Sequence, residues 1–245
     1  NQTSYLIDRK VLRDGNSFDL NPFEDDDNAL GLNLNFRNTL FFNRGKQQYT
    51  TSYTYLANTA RNLVSLGLQT NELRSHQVSF LHKIKASYLF NLNTALGTNS
   101  SASENFAQRN YSLETFELNP KISYLFDDNT RLEAFYSLGT KENSLGALEY
   151  LNKQDFGVAF SYSNAEKISF NIEAQYIKNE FEGAAFSPVA YQMLEGLQPG
   201  SNFTWNVIAQ KRLTKFLDLN LSYFGRKSED SRTIHTGTVQ LRALF

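Results

Sequence analysis

Three histidines, His76, His82 and His235, are the residues of this chain best suited to acid–base catalysis. Ser75 directly precedes His76, so the two residue types of a serine–histidine hydrolase are adjacent in the sequence. Adjacent side chains of a β-strand point to opposite faces, however, whereas a nucleophile must lie within hydrogen-bond reach of its base. The sequence also contains no Asp-x-His or His-x-Asp pair. We therefore expect no catalytic residue and no enzymatic activity.

No other residues form a motif that carries chemistry. Four consecutive acids, Glu24 to Asp27, offer carboxylates to a divalent cation, but they lack the alternate spacing and the glycine of a calcium-binding loop. Gly139, Gly146 and Gly157 do not form a phosphate-binding loop. The chain has no cysteine, which removes thiol nucleophiles, disulfides and cysteine metal sites. The sequence predicts neither a metal site nor a cofactor.

A two-residue period of apolar and polar side chains recurs along the chain and predicts β-strands. The clearest example is segment 168–176, where the two alternate sets are Ile168, Phe170, Ile172, Ala174 and Tyr176 against Ser169, Asn171, Glu173 and Gln175. The pattern returns at 116–126, 156–162 and 217–223, and more weakly at 30–42, 49–55, 78–84, 88–96, 132–138 and 203–209. Several of these strands reach the roughly 9–11 residues of a tilted transmembrane strand. Strands of soluble sandwiches are typically about 5–6 residues long.

The composition excludes membrane-spanning helices and argues against a nucleic-acid partner. The chain is 40% hydrophobic, its mean hydropathy is −0.47, and no apolar run approaches the roughly 20 residues that a spanning helix needs. A transmembrane β-barrel keeps such a low value because only alternate residues meet lipid. Aromatic residues make up 14% of the chain, and barrels place them at both lipid interfaces. With 24 basic and 25 acidic residues the chain lacks the basic surplus of a nucleic-acid binder.

Short and long connections between the predicted strands alternate. Tight polar turns are predicted at 43–46, 85–87, 127–130, 164–166 and 213–215, and longer loops at 57–72, 97–109, 139–152, 179–201 and 227–232. Outer-membrane barrels show this asymmetry, with short turns on the periplasmic side and long loops outside. We expect a first strand and an acidic outer loop at 1–29 and an antiparallel up-and-down transmembrane barrel at 30–245, with about 11 to 12 strands in the chain as a whole.

The C-terminal segment resembles the closing strand of a bacterial outer-membrane barrel. Val239, Leu241, Ala243 and Phe245 share one face of the predicted strand, and the chain ends on the aromatic residue. In that family such a strand is the signal that the barrel-assembly machinery recognises during insertion. The resemblance implies that the chain lies in the outer membrane of a Gram-negative cell, surrounded by its lipid, with the C-terminus in the periplasm.

The loop 179–201 departs from the pattern because it is apolar and aromatic where an outer loop should be solvated. It contains a predicted short helix at 189–197 and the only methionine of the chain. Its candidate contact residues are Phe186, Tyr191, Met193, Leu194 and Leu197. An apolar loop at this place is expected to fold into the barrel lumen or to dock on a protein partner.

As a whole, the chain resembles the C-terminal barrel region of large Bacteroidota outer-membrane proteins, such as TonB-dependent receptors. The resemblance rests on Asn-, Tyr- and Phe-rich strands, on the loop 190–200 and on the segment 225–235 that leads into the last strand. It implies a transporter-type barrel that admits solutes, with this chain as the C-terminal part of a larger barrel. The alternative is a non-transporting scaffold subunit of an outer-membrane complex, with protein partners at its outer loops or periplasmic side.

Overall fold

The structure is a computed structural model and describes residues 2–9, 29–45, 48–65, 67–164, 168–229 and 231–243. In these residues twelve strands form one antiparallel sheet, in which each strand pairs with its neighbours in the sequence. The strands are β1 (Gln2–Arg9), β2 (Ala29–Phe42), β3 (Tyr49–Val64), β4 (Gly67–Lys85), β5 (Tyr88–Ser103), β6 (Tyr111–Leu125), β7 (Thr130–Asn143), β8 (Tyr150–Asn164), β9 (Ile168–Glu182), β10 (Gly200–Thr214), β11 (Leu217–Ser228) and β12 (Ile234–Ala243). The predicted all-β, antiparallel up-and-down fold is confirmed, with the upper predicted number of strands.

The sheet is open in the described part of the chain. There, β1 pairs only with β2, and β12 pairs only with β11. Both outer strands therefore present one edge of backbone hydrogen-bonding groups without a strand partner among the described residues.

The strand register places the side chains on two faces of the sheet. We call the mainly apolar face the outer face and the mainly polar face the inner face. The outer face contains Phe156 of β8, which lies opposite Tyr176 of β9, which in turn lies opposite Phe203 of β10. The inner face contains Glu133, Ala159 and Glu173, which are aligned in the same way across β7, β8 and β9. Along a strand the two faces alternate, as the two-residue period of the sequence predicts.

The outer face is apolar and exposed. Phe156 and Val158 of β8 are 54% and 42% exposed. The alternate residues Gly157 and Ala159 belong to the inner face and are buried. On β12, Val239 and Leu241 are 69% and 60% exposed, and they lie opposite outer-face residues of β11. The predicted shared face of Val239, Leu241 and Ala243 is therefore present, while Phe245 lies outside the described residues.

Among the described residues, the tight turns at 43–45, 86–87, 126–129 and 215–216 fall at one end of the sheet, as predicted. The predicted turn at 164–166 lies largely outside the described residues. At the other end the prediction of long loops is partly wrong. The predicted loop 57–72 is strand almost throughout, because β3 continues to Val64 and β4 starts at Gly67. The predicted loops 97–109 and 139–152 shrink to 104–110 and 144–149. These strand ends are rich in polar residues and lack the alternating apolar pattern that would distinguish them from loops.

The described residues contain two short helices, both in connections between strands. A 3-10 turn covers Ala107–Arg109, and the α-helix α1 covers Pro188–Met193 in the long connection between β9 and β10. In the described residues no helix is long and apolar enough to cross a membrane. The predicted first strand is present as β1, and the predicted acidic loop at 24–27 lies outside the described residues.

Candidate functional site

The connection 183–199, which we call the plug loop, packs against the inner face of the sheet. Ser187 caps α1, because its Oγ accepts a hydrogen bond of 2.9 Å from the Ala190 backbone N–H, and Pro188 fits the first helical turn. The helix is shorter than the predicted 189–197, since Glu195 and Gly196 adopt positive φ angles of 56° and 76° that end the helical path.

The apolar side of the plug loop forms the hydrophobic core of the described chain. It joins two inner-face leucines of the strands in a single buried cluster of Leu113, Leu151, Val189, Ala190, Met193 and Leu194. Met193 is 0% exposed and Leu194 3%. Of the loop residues predicted from the sequence, Met193 and Leu194 are therefore buried. Phe186 and Tyr191 lie on the opposite side of the loop and are 99% and 71% exposed. Leu197 is half-buried.

A charged contact holds the same loop to the sheet. Lys141 of β7 donates to the Met193 carbonyl at 3.1 Å and to the Glu195 carboxylate at 2.6 Å, and Lys153 of β8 donates to the other Glu195 oxygen at 2.9 Å. We call this arrangement the Glu195 latch. Burial raises the pKa of Glu195, but the hydrogen bond from Lys141 and the charges of both lysines outweigh it, so the pKa lies below its ordinary value. The latch is therefore strongest with Glu195 ionised.

Two buried asparagines secure the other end of the plug loop. Asn202 of β10 donates to the Gln198 carbonyl at 2.8 Å, and Asn179 of β9 donates to the same oxygen at 3.2 Å. Arg226 of β11 adds a hydrogen bond of 3.0 Å to the Gly196 carbonyl. Backbone carbonyls of the loop are thus satisfied by side chains of the wall, which fixes the loop in one position.

Below the plug loop lies a polar cavity of 540 Å³, which we call the chamber. It is lined by residues of five neighbouring strands, β5 to β9, and by Glu195 of the loop. Its charged residues are five acids and three lysines, namely Glu117, Glu133, Asp155, Glu173, Glu195, Lys121, Lys141 and Lys153. Glu117, Lys121, Glu133 and Glu173 of this set lie on the inner face of their strands.

The lysines of the chamber are engaged by only two of its acids. Lys121 forms a salt bridge of 3.4 Å with Glu133, and Arg131 forms another of 3.6 Å with the same carboxylate. The other two lysines form the Glu195 latch. Glu117, Asp155 and Glu173 form no salt bridge with the described residues. The chamber is thus lined by two more carboxylates than ammonium groups.

The outer face has aromatic residues at two levels. Near the loop end, Phe203 packs on Trp205 with ring centroids 5.5 Å apart, and midway along β3 and β4 Tyr55 packs on His76 at 4.9 Å. Near the tight turns the corresponding contacts are Tyr88 with Tyr124 at 4.8 Å, Tyr124 with Phe126 at 4.5 Å and Tyr162 with Phe170 at 5.4 Å. Charged side chains follow directly beyond the upper level, for example Lys178 and Glu180, which are 2.7 Å apart.

The three histidines lie among these aromatic side chains of the outer face. The Nδ1 atom of His76 is 2.7 Å from the Tyr53 hydroxyl, and that of His235 is 2.8 Å from the Tyr223 hydroxyl. Ser75 is buried on the inner face, whereas His76 is exposed on the outer face, so the two side chains point away from each other. In the described part of the chain, no group of three or more His, Cys, Asp or Glu residues could hold a metal ion.

The sequence matches no protein-family model and no curated protein sequence. Among solved structures, the chain is similar to LpxR from Salmonella typhimurium, with 9% identity, a TM-score of 0.36 and 88% of each chain covered. It is similar to BauA, the ferric preacinetobactin receptor of Acinetobacter baumannii, with 12% identity and a TM-score of 0.39 over 86% of this chain. It is also similar to the beta domain of the Bordetella autotransporter BrkA, with 10% identity, a TM-score of 0.38 and 88% and 90% of the two chains covered. The chain spans only 41% of the BauA chain, and at these TM-scores the likeness assigns no function.

Sequence reasoning missed the residues that hold the plug loop. Lys141 and Lys153 are 54 and 42 positions away from Glu195 in the chain, so nothing in the sequence links them. In the sequence, Asn179 begins the predicted loop 179–201 and Asn202 directly follows it, so nothing marks them as buried. In the structure they are only 2% and 1% exposed, because the folded sheet covers them. The apolar composition of the loop was the available signal, and it pointed to the correct segment.

Proposed function

We propose that this chain forms the wall of an outer-membrane β-barrel of the transporter type, through which small hydrophilic solutes pass along the inner face. The plug loop narrows the passage. The observation that carries the proposal is the chamber, a polar and charged cavity on the inner face, directly beneath a loop that is latched to the same face. The likeness to Bacteroidota receptors implies that the twelve strands are the C-terminal part of a larger barrel.

The outer face supports the membrane location. Its apolar run extends from Phe116 of β6 to Phe126, directly after that strand, a length of about 33 Å at roughly 3.3 Å per residue. At a tilt of about 45° this gives a height of about 23 Å, close to the apolar band of roughly 25 Å in outer-membrane barrels. The two aromatic levels then lie at the two lipid interfaces. Since lipid offers no hydrogen bonds, the free edges of β1 and β12 must pair with each other or with further strands.

This placement also gives the orientation. The tight turns and the C-terminus lie on the periplasmic side, and the plug loop approaches the lumen from outside the cell. Insertion by the barrel-assembly machinery then starts from β12, whose outer face carries Val239, Leu241 and Ala243.

Conductance in planar lipid bilayers tests the transport role with the full-length protein. Glu195→Gln combined with Lys153→Met removes the ion pairs of the latch, and we expect single-channel conductance to rise because the plug loop opens from the inner face more often. Glu180→Gln is the matched control, because Glu180 forms an exposed ion pair with Lys178 away from the chamber, and it should leave conductance unchanged. If neither the wild type nor the unlatched variant conducts above a protein-free bilayer, the transport proposal fails and a scaffold role takes its place.

The latch also predicts a pH dependence. Docking of the plug loop lowers the pKa of Glu195. The ionised carboxylate therefore stabilises the docked loop fully above the ordinary pKa of a glutamate, and this stabilisation is lost as the pH falls through the lowered pKa. Conductance of the wild type should therefore stay low at neutral pH and rise only at strongly acidic pH. The Glu195→Gln variant should lack this acid-dependent rise.

A further inference from the structure

We propose that the chamber selects solutes that carry two or more protonated amino groups, with the carboxylate of Asp155 as their main anchor. The inference rests on the proposed function, because it names the class of solute that the inner face would admit. It depends on three features of the chamber: a buried oxygen without a partner, an excess of carboxylates, and the distances between those carboxylates.

Asp155 is the buried group of the chamber that lacks a partner. The residue is 8% exposed, lies on the inner face of β8 and lines the chamber. Its Oδ1 atom is buried and receives no hydrogen bond from the described residues. A buried carboxylate oxygen without a donor is costly, and the cost is removed when a ligand supplies an N–H group. An ammonium group is suited to this oxygen, since it carries three donors and a positive charge.

The other carboxylates make the chamber attractive to cations. Glu117 and Glu173 line the same cavity, and neither forms a salt bridge with the described residues. Glu173 accepts a hydrogen bond from the neutral amide of Gln175, which leaves its charge uncompensated. The three lysines are already occupied by Glu133 and Glu195. A cleft lined by one sign of charge between low-dielectric walls concentrates ions of the opposite sign, whereas anionic solutes are repelled.

The spacing of the acids favours an extended organic cation over a metal ion. Asp155 is opposite Ile177 on β9, and Glu173 lies two inner-face positions further along that strand. Glu117 is two strands away, because it lies opposite Gly139, which lies opposite Lys153. With strands about 4.8 Å apart and inner-face positions about 6.7 Å apart, the Cα atom of Asp155 is roughly 12 Å from that of Glu117 and roughly 14 Å from that of Glu173. In the described residues no group of three or more His, Cys, Asp or Glu side chains could hold a metal ion, whereas a flexible polyamine can span separations of this size.

The chamber also offers a surface for the carbon chain of such a ligand. Phe135 lines the chamber from β7, and its ring lies over Gly157 of β8, where a Cβ atom would be 2.1 Å from the ring. The methylene groups between two ammonium groups can pack on this ring, and the ring attracts the cations as well. Asp155 and Glu117 then hold the two charged ends.

Isothermal titration calorimetry with spermidine tests the proposal on the full-length protein in detergent micelles. We expect saturable binding that weakens with added salt, and at least a tenfold loss of affinity in Asp155→Asn, which keeps the size of the side chain. Glu173→Gln should lose a few-fold, and Glu180→Gln, which removes a carboxylate outside the chamber, should bind as the wild type does. Far-UV circular dichroism verifies that each variant is folded.

The proposal is overturned if spermidine does not bind, if Asp155→Asn binds it as tightly as the wild type, or if Ca²⁺ binds the chamber as well as spermidine does. Triethylene glycol, a neutral chain of similar length, should not bind. Because binding is measured without a membrane, its result is independent of conductance. A protein that conducts but does not bind spermidine would refute this inference and leave the transport role intact.

Discussion

Replacing Ile172 by arginine should destabilise the protein in a lipid bilayer by about 2–4 kcal/mol, the cost of a basic side chain at the lipid-facing midplane of a barrel. Ile172 lies on the outer face of β9 between Phe170 and Tyr176, and it is 43% exposed. In the proposed orientation this exposed surface meets hydrocarbon. Urea-induced unfolding of the protein in phospholipid vesicles measures the effect.

Asn171→Arg is the matched control for Ile172→Arg. The two positions are adjacent on the same strand, and Asn171 belongs to the inner face, where it lies opposite Ser161 and Ile208. An arginine there meets a polar environment and should change the free energy of unfolding by well under 1 kcal/mol. Equal losses at the two positions would mean that lipid does not contact the outer face.

The second large effect concerns docking of the plug loop. Met193→Ala removes a side chain that is 0% exposed between α1 and the inner face, and such truncations cost about 2–5 kcal/mol. The loop contributes no strand to the sheet, so we expect the loss to appear as local opening of the loop and not as unfolding of the sheet. A loss of about 2 kcal/mol corresponds to a roughly 30-fold larger open fraction.

Hydrogen exchange followed by mass spectrometry measures this opening. The amides of Leu194 and Gly196 donate to the carbonyls of Ala190 and Tyr191, so the plug loop has protected positions that report on docking. Exchange in the peptide 183–199 should accelerate in Met193→Ala while the strands stay protected. Tyr191→Ala, on the solvent side of the same helix at 71% exposure, should leave the exchange rate nearly unchanged. Protection of the loop that survives Met193→Ala would contradict the proposed role of the buried cluster.

The sequence predicted those parts of the fold that depend on local alternation. Segment 168–176 shows both faces of β9 directly, because one face is apolar and the other polar. The loop ends of β3 and β4 could not be predicted in this way. Their residues Thr59, Asn62, Thr70 and Asn71 are all polar, so the sequence there does not alternate between an apolar and a polar face. Beyond the apolar band there is no apolar face to set a period, and pairing between the two strands decides the structure.

The site was predicted only as far as local composition allowed. The apolar loop around Met193 was visible because an outer loop should be solvated, but its anchors come from distant strands. Lys141, Lys153 and Asn202 reach the loop only after the sheet has placed β7, β8 and β10 around it. The same holds for Asp155, whose burial depends on neighbouring strands and not on its own segment.

The central claim, that the outer face meets lipid, is tested most directly by the fluorescence of Trp205, the only tryptophan in the chain. Its ring packs between Phe203 and His235 at the loop-side aromatic level of the outer face. In vesicles with lipid-attached quenchers, we predict strong quenching by a label near the headgroups and weaker quenching by a label at the bilayer centre. Quenching by aqueous iodide with none from either lipid label would contradict the account.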